Sequence, residues 1–125
     1  MLLIKIKSIK KELNYLILIC IGAVIGALIR WQVSNDFAIN VFGSGLLGFI
    51  YSMQFKKSVK LFLGFGLCGS LTTFSGWIIN SIHLGSKGLL FLSLKAIFVP
   101  LFLSFIVALI AFFLGKQIRL LVHSQ

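Results

Sequence analysis

Four long apolar blocks, separated by short polar or basic links, make up most of this chain. They run over about residues 14–33, 37–55, 61–82 and 89–115. About 20 apolar residues in a helix cross roughly 30 Å of hydrocarbon. The pattern therefore predicts an all-α integral membrane protein of four transmembrane helices, with residues 1–125 as one domain. A basic amphipathic start, residues 1–13 with Lys5, Lys7, Lys10 and Lys11, reads as an interfacial segment. The links are Ser34-Asn35-Asp36, the lysine group Lys56, Lys57 and Lys60, and residues 83–88. Links this short make neighbouring helices antiparallel.

The third block departs from a plain anchor. Its stretch 64–77 holds four glycines and four hydroxyl residues, then Phe74 and Trp77 three apart. Glycine weakens a helix, and hydroxyls in hydrocarbon need partners. Irregular backbone at membrane depth is tolerated only inside protein or against a wet cavity. The expectation is a third helix broken at mid-membrane, at an ion or substrate site. Elsewhere Gly22 and Gly26 give a small face for close helix contact, and Gly43, Gly45 and Gly48 thin one side of the second span. Asn40 lies inside the second span and Pro100 inside the fourth.

Composition strengthens the membrane reading. The chain is 59% hydrophobic and 11% charged, with a mean hydropathy of +1.10. Its net charge of +10 would suggest nucleic acid in a soluble protein. No soluble domain is present to offer a basic face, so no nucleic-acid partner is expected. The charge reports topology and contact with anionic lipid instead. Nine of the twelve Lys and Arg fall on the side of the termini, and Arg30, Lys87 and Lys95 on the other. Both termini are therefore expected in the cytoplasm, with the chain multi-pass in the cell inner (plasma) membrane. The first apolar block runs on to Trp31 without a small-x-small cleavage pattern, so no cleaved leader is expected. Cys20 and Cys68 both lie in apolar blocks and read as small buried hydrophobes.

Few residues could carry chemistry. Glu12 and Asp36 lie near opposite faces and cannot act as a carboxylate pair. His83 and His123 lack neighbours at metal-ligand spacing, and Ser75 has no base at hand, so an enzyme is not expected. A cation-coupled transporter would need a carboxylate buried in a span, and none is present. What remains is polar but uncharged: Asn40, Ser44, Thr72, Thr73, Ser75, Asn80 and Ser104. Such groups can replace part of an ion's hydration shell without trapping it. Ring edges of Phe74 and Trp77, on one helical face, are electropositive and suit a small anion. Carbonyls exposed by a broken helix suit a cation such as Na⁺. Bland readings stand beside these: aromatics three apart also pack, membrane hydroxyls bond to the preceding turn, Asn40 can bridge two helices, and Arg30 can snorkel.

Three motifs, taken in order, resemble the CrcB family, the Fluc fluoride channels. They are Gly22-x-x-x-Gly26-Ala27-x-x-Arg30-Trp31, then Asn40-Val41-Phe42-Gly43-Ser44-x-x-x-Gly48, then Gly64-Phe65-x-x-Cys68-Gly69-x-x-Thr72-Thr73-Phe74-Ser75. The third is the most specific, and the resemblance covers about residues 14–116. It implies four-helix subunits that pair as an antiparallel dimer, with a structural Na⁺ at its centre held by carbonyls matching Gly69 and Thr72. It implies two pores that carry fluoride passively out of the cytoplasm. Asn40, Thr73, Ser75 and Ser104 match pore-lining positions, Phe74 and Trp77 match the two rings that meet fluoride, and Arg30 matches a vestibule or structural position.

Three positions depart from the family pattern: Trp77 stands where a phenylalanine is usual, Asn80 where a glutamate is, and Pro100 where a tyrosine is. An antiparallel homodimer must insert both ways and should show little charge bias. The bias here predicts one orientation and a homologous partner that inserts oppositely. A non-conducting or half-conducting structural partner subunit is the alternative to a conducting one.

Overall fold

The computed structural model describes residues 2–123, with side chains for residue 6 and residues 8–122. The side chains of Lys5 and Lys7, which enter the charge reading above, and of His123 lie outside the described ones. The first helix, α1, runs Leu2–Gln32. The basic start is thus continuous with the first span, since no proline or glycine separates Lys10 and Lys11 from the apolar run. Asn35 then caps the next helix, α2 (Asp36–Ser52): its Oδ1 accepts from the Ala38 N–H at 3.0 Å.

The third helix, α3, spans 57–71. It begins α-helical at Lys57–Val59, widens into π-helix over Lys60–Cys68, and closes with one α-turn at Gly69–Leu71. A nine-residue π segment is unusual, because π geometry mostly occurs as single-turn bulges at functional sites. Helical structure lapses over Thr72–Phe74 and resumes as α4 (Ser75–Ser86). Gly88, at φ +76°, ends α4: the Leu89 N–H reaches back to the Leu84 carbonyl at 3.1 Å. The last helix, α5 (Leu90–His123), runs through the basic tail and contains Pro100. Pro100 has no N–H to offer the Ala96 carbonyl one turn back.

Three stretches among the described residues are long and apolar enough to cross a membrane: Ser8–Gln32, Lys57–Ser86 and Leu90–Val122. With no strand among the described residues, the chain is an all-helical, multi-pass membrane protein. α2, at 17 residues, is shorter than any of these three stretches.

Glycine lets backbones meet. α1 packs on the π segment of α3, where a methyl group on Gly66 would come within 2.6 Å of the Ile19 carbonyl and 3.0 Å of the Gly22 Cα. α2 packs most extensively on α5, and a methyl group on Gly48 would overlap the Ala108 carbonyl. Polar pairs close the remaining seams. Ser81 of α4 and Ser93 of α5 exchange hydroxyl-to-carbonyl bonds at 2.7 and 2.8 Å. Arg119 donates to the Ser52 carbonyl at 3.1 Å, tying the ends of α5 and α2. The buried apolar set is small (Ile39, Ile50, Cys68, Leu71 and Trp77), while Phe42, Phe65 and Phe105 are more than half exposed. An outer surface this apolar suits lipid or another subunit.

Candidate functional site at the helix interruption

The interruption has an identifiable local cause. In an unbroken helix the Thr73 N–H would bond to the Gly69 carbonyl. Here it donates instead to Oδ1 of Asn40 at 2.6 Å, thirty-three residues away. The Ser75 N–H likewise turns to Oγ1 of Thr73 at 3.3 Å. Thr72 takes an extended backbone, φ −84° and ψ 144°, while its own hydroxyl still bonds to the Cys68 carbonyl at 3.0 Å. The interrupted segment is thus held by α2 as much as by its own flanks.

Asn40 is the pivot. It is buried, and its Nδ2 donates to the Asp36 carbonyl at 2.5 Å. That bond uses one of two amide protons and leaves a donor available. Thr73 and Ser75 pair through their hydroxyls at 2.9 Å. The expected site residues Asn40, Thr73 and Ser75 are therefore brought together, with Thr72 at the start of the lapse and Phe74 within it.

The two aromatics part company in burial yet remain in contact. Phe74 is 53% exposed and Trp77 only 8%. Phe74 precedes α4 and Trp77 lies in its first turn, so they do not share a simple helical face. Their rings still meet edge to face, with centroids 6.0 Å apart at 70°. Ser104 is buried in α5, and its Oγ has no hydrogen-bond partner; the indole Nε1 of Trp77 has none either. Gly69 is exposed, and a methyl group placed on it would meet nothing closer than the Gly64 carbonyl at 3.9 Å.

Two polar cavities flank this region. One, of about 400 Å³, is lined by Ala27, Arg30, Trp31, Asp36 and Ser70. Arg30 there approaches the Asp36 carboxylate at 4.0 Å. The other, of about 580 Å³, includes Asp36, Gly76, Trp77, Asn80 and Pro100 in its lining. Trp77 and Asn80 on α4 and Pro100 on α5, read from the sequence as departures from the pattern it resembles, thus line one cavity. Asp36 belongs to both cavities. Sequence alone marks it as a link residue; the available signal is its place one turn before Asn40.

Similar proteins point the same way. The sequence model of the family described as CrcB-like protein, Camphor Resistance (CrcB), matches residues 17–116. The chain is 41% identical over 113 residues to a protein of Prochlorococcus marinus (strain MIT 9313) named Fluoride-specific ion channel FluC 2, covering 90% of this chain and 91% of the relative. It is 34% identical over 121 residues to a FluC 1 from another strain of Prochlorococcus marinus, covering 97% and 98%. It is also 34% identical over 118 residues to a FluC 1 of Listeria monocytogenes serovar 1/2a (strain ATCC BAA-679 / EGD-e), covering 84% and 96%. With its third motif on the interrupted helix and matches that span nearly its whole length, this chain belongs to the CrcB-like family.

Proposed function

We propose that this chain is a subunit of a fluoride channel that lets the ion leave the cytoplasm passively. The observation that carries this reading is the Thr72–Phe74 interruption pinned by Asn40, in a membrane protein whose relatives are named fluoride-specific ion channels. The remaining amide proton of Asn40, the paired hydroxyls of Thr73 and Ser75, and the half-exposed ring of Phe74, whose edge is electropositive, all suit a small, strongly hydrated anion. None of these groups carries a full charge, so binding stays weak enough for release. The subunit crosses the membrane four times, with α2 as the short span and α3–α4 as one span broken at mid-membrane.

A central Na⁺ fits the residues present. The diversion of the Thr73 N–H to Asn40 leaves the Gly69 carbonyl without its helical donor, and the exposed position of Gly69 has open space around it. Carbonyl oxygens of Gly69 and Thr72 would hold the ion, since hard cations take oxygen ligands. It would supply positive charge between two subunits packed in antiparallel orientation.

The partner in this reading is a homologous subunit of opposite orientation. The charge bias toward the termini supports it, as does the presence of both FluC 1 and FluC 2 names among the relatives. Burial of Trp77 within its own subunit favours a second reading, in which this chain orients its partner and conducts little itself.

The test is fluoride efflux from liposomes holding the chain alone, or with a homologous partner. Efflux is expected from the pair, and robust efflux from the lone chain would refute the need for a partner. An assembled pair that passes no fluoride overturns the channel reading. Trp77→Phe in the assembled channel separates the two roles: faster efflux puts this face on a pore, and unchanged efflux favours the structural role.

A further inference from the structure

We propose that Asp36 is an electrostatic gate between the two polar cavities, suppressing the positive potential that would otherwise draw anions to the interruption. Its carboxylate stands between two sources of positive charge. On one side lies the Arg30 guanidinium, 4.0 Å away, in the cavity that Ala27, Trp31 and Ser70 complete. On the other lies the start of α4, where a methyl group on Gly76 would overlap the Asp36 carboxylate. A helix N-terminus carries roughly half a positive charge, and Gly76 sits in the first turn of this twelve-residue helix. Glycine at position 76 is what permits the carboxylate to lie against the helix there.

The same residue is mechanically linked to the interruption. Its main-chain carbonyl accepts from Asn40 Nδ2, and Asn40 Oδ1 holds the Thr73 N–H. Backbone and side chain thus have separate tasks. The backbone helps position the anion-facing amide, and the carboxylate sets the potential around it. Among the described residues, Glu12 is the other acidic side chain, and it lies on α1 more than four helical turns before Arg30. A single neutral substitution therefore changes the field without an acidic neighbour to compensate.

The inference rests on the channel reading for its effect on flux, but the field itself can be measured without flux. The two tryptophans of the chain line these cavities, Trp31 with Arg30 and Trp77 with Asn80. Quenching of their fluorescence by iodide, relative to neutral acrylamide, reports the local potential in the assembled protein. Asp36→Asn keeps the shape and the backbone carbonyl; Asp36→Ser is the second variant should the first fail to assemble. The iodide-to-acrylamide ratio is expected to rise about twofold to fivefold at low salt, the size set by one unit charge near 4 Å in a water-like medium. The rise should vanish near 1 M salt, where the screening length falls to about 3 Å. Fluoride efflux at sub-saturating concentration should rise about threefold in the same variant. An unchanged ratio at low salt, or a rise that survives high salt, overturns the gate, as does unchanged efflux from a conducting channel. A shifted ratio in a protein that passes no fluoride upholds the gate and overturns the channel reading alone.

Discussion

At Asn40 one buried amide joins the start of α2 to the interrupted segment, giving a proton to the Asp36 carbonyl and accepting one from the Thr73 N–H. Its position in the motif is readable from the sequence, but its partner thirty-three residues away is not. Sequence leaves two readings open for it, an ion-facing amide or a bridge between helices. The bonds make it a bridge, and its second amide proton leaves the ion-facing role available. Asn40→Ala leaves the part-buried Thr73 N–H without its acceptor. A fully buried unpaired donor costs about 1–3 kcal/mol and a part-buried one less, so the assembled protein should unfold at a modestly lower temperature in detergent. Asn40→Asp keeps an acceptor for Thr73 but removes the amide donor and adds negative charge. Thermal stability should fall less than in Asn40→Ala while fluoride efflux falls at least as much.

Among the elements, α3 differs most from what its sequence suggests. Glycine and hydroxyl content predicts a break, and the lapse at Thr72–Phe74 lies within that stretch. The π-helical turns before it are not legible in the sequence, because a nine-residue segment holds too few turns for its wider period to stand out from that of an α-helix. Packing selects the geometry: α1 lies across Gly66 so closely that Ile19 and Gly22 occupy the space of any side chain. Gly66→Val should therefore separate α1 from α3. Overpacking a close contact costs about 1–3 kcal/mol, with more expected here because backbone atoms rather than flexible side chains oppose the insertion. Loss of thermal stability in detergent, with helicity by circular dichroism largely kept, is the expected signature. Normal stability of the variant would contradict the observed seam.

For the whole molecule the charge distribution is the feature to test. Nine of the twelve basic residues lie toward the ends and the α2–α3 link. Aromatic rings help to fasten that end: Lys57 lies 4.9 Å and Lys11 6.0 Å from the Tyr15 ring centre, and Lys60 lies 5.8 Å from that of Tyr51. Fusions of cytoplasm- and periplasm-active reporters to the C-terminus should give signal from the cytoplasmic reporter alone. Replacing Lys56, Lys57 and Lys60 by glutamine while adding lysines beside Ser34 should yield a mixed population. Equal activity of both reporters in the unaltered chain would remove the argument for a partner of opposite orientation.

The sequence by itself determined the membrane class and the family, because hydrophobic length and short motifs are local properties of the chain. It also marked the stretch in which the helix fails. Tertiary structure decided what that failure is made of. Asn40 captures the Thr73 N–H, Gly66 admits the backbone of α1, and Asp36 lies on Gly76 beside Arg30. Tertiary structure also gathered Trp77, Asn80 and Pro100 into the lining of one cavity. Each of these depends on contacts between residues far apart in the chain, and neither apolar periodicity nor motif spacing specifies which distant groups will meet.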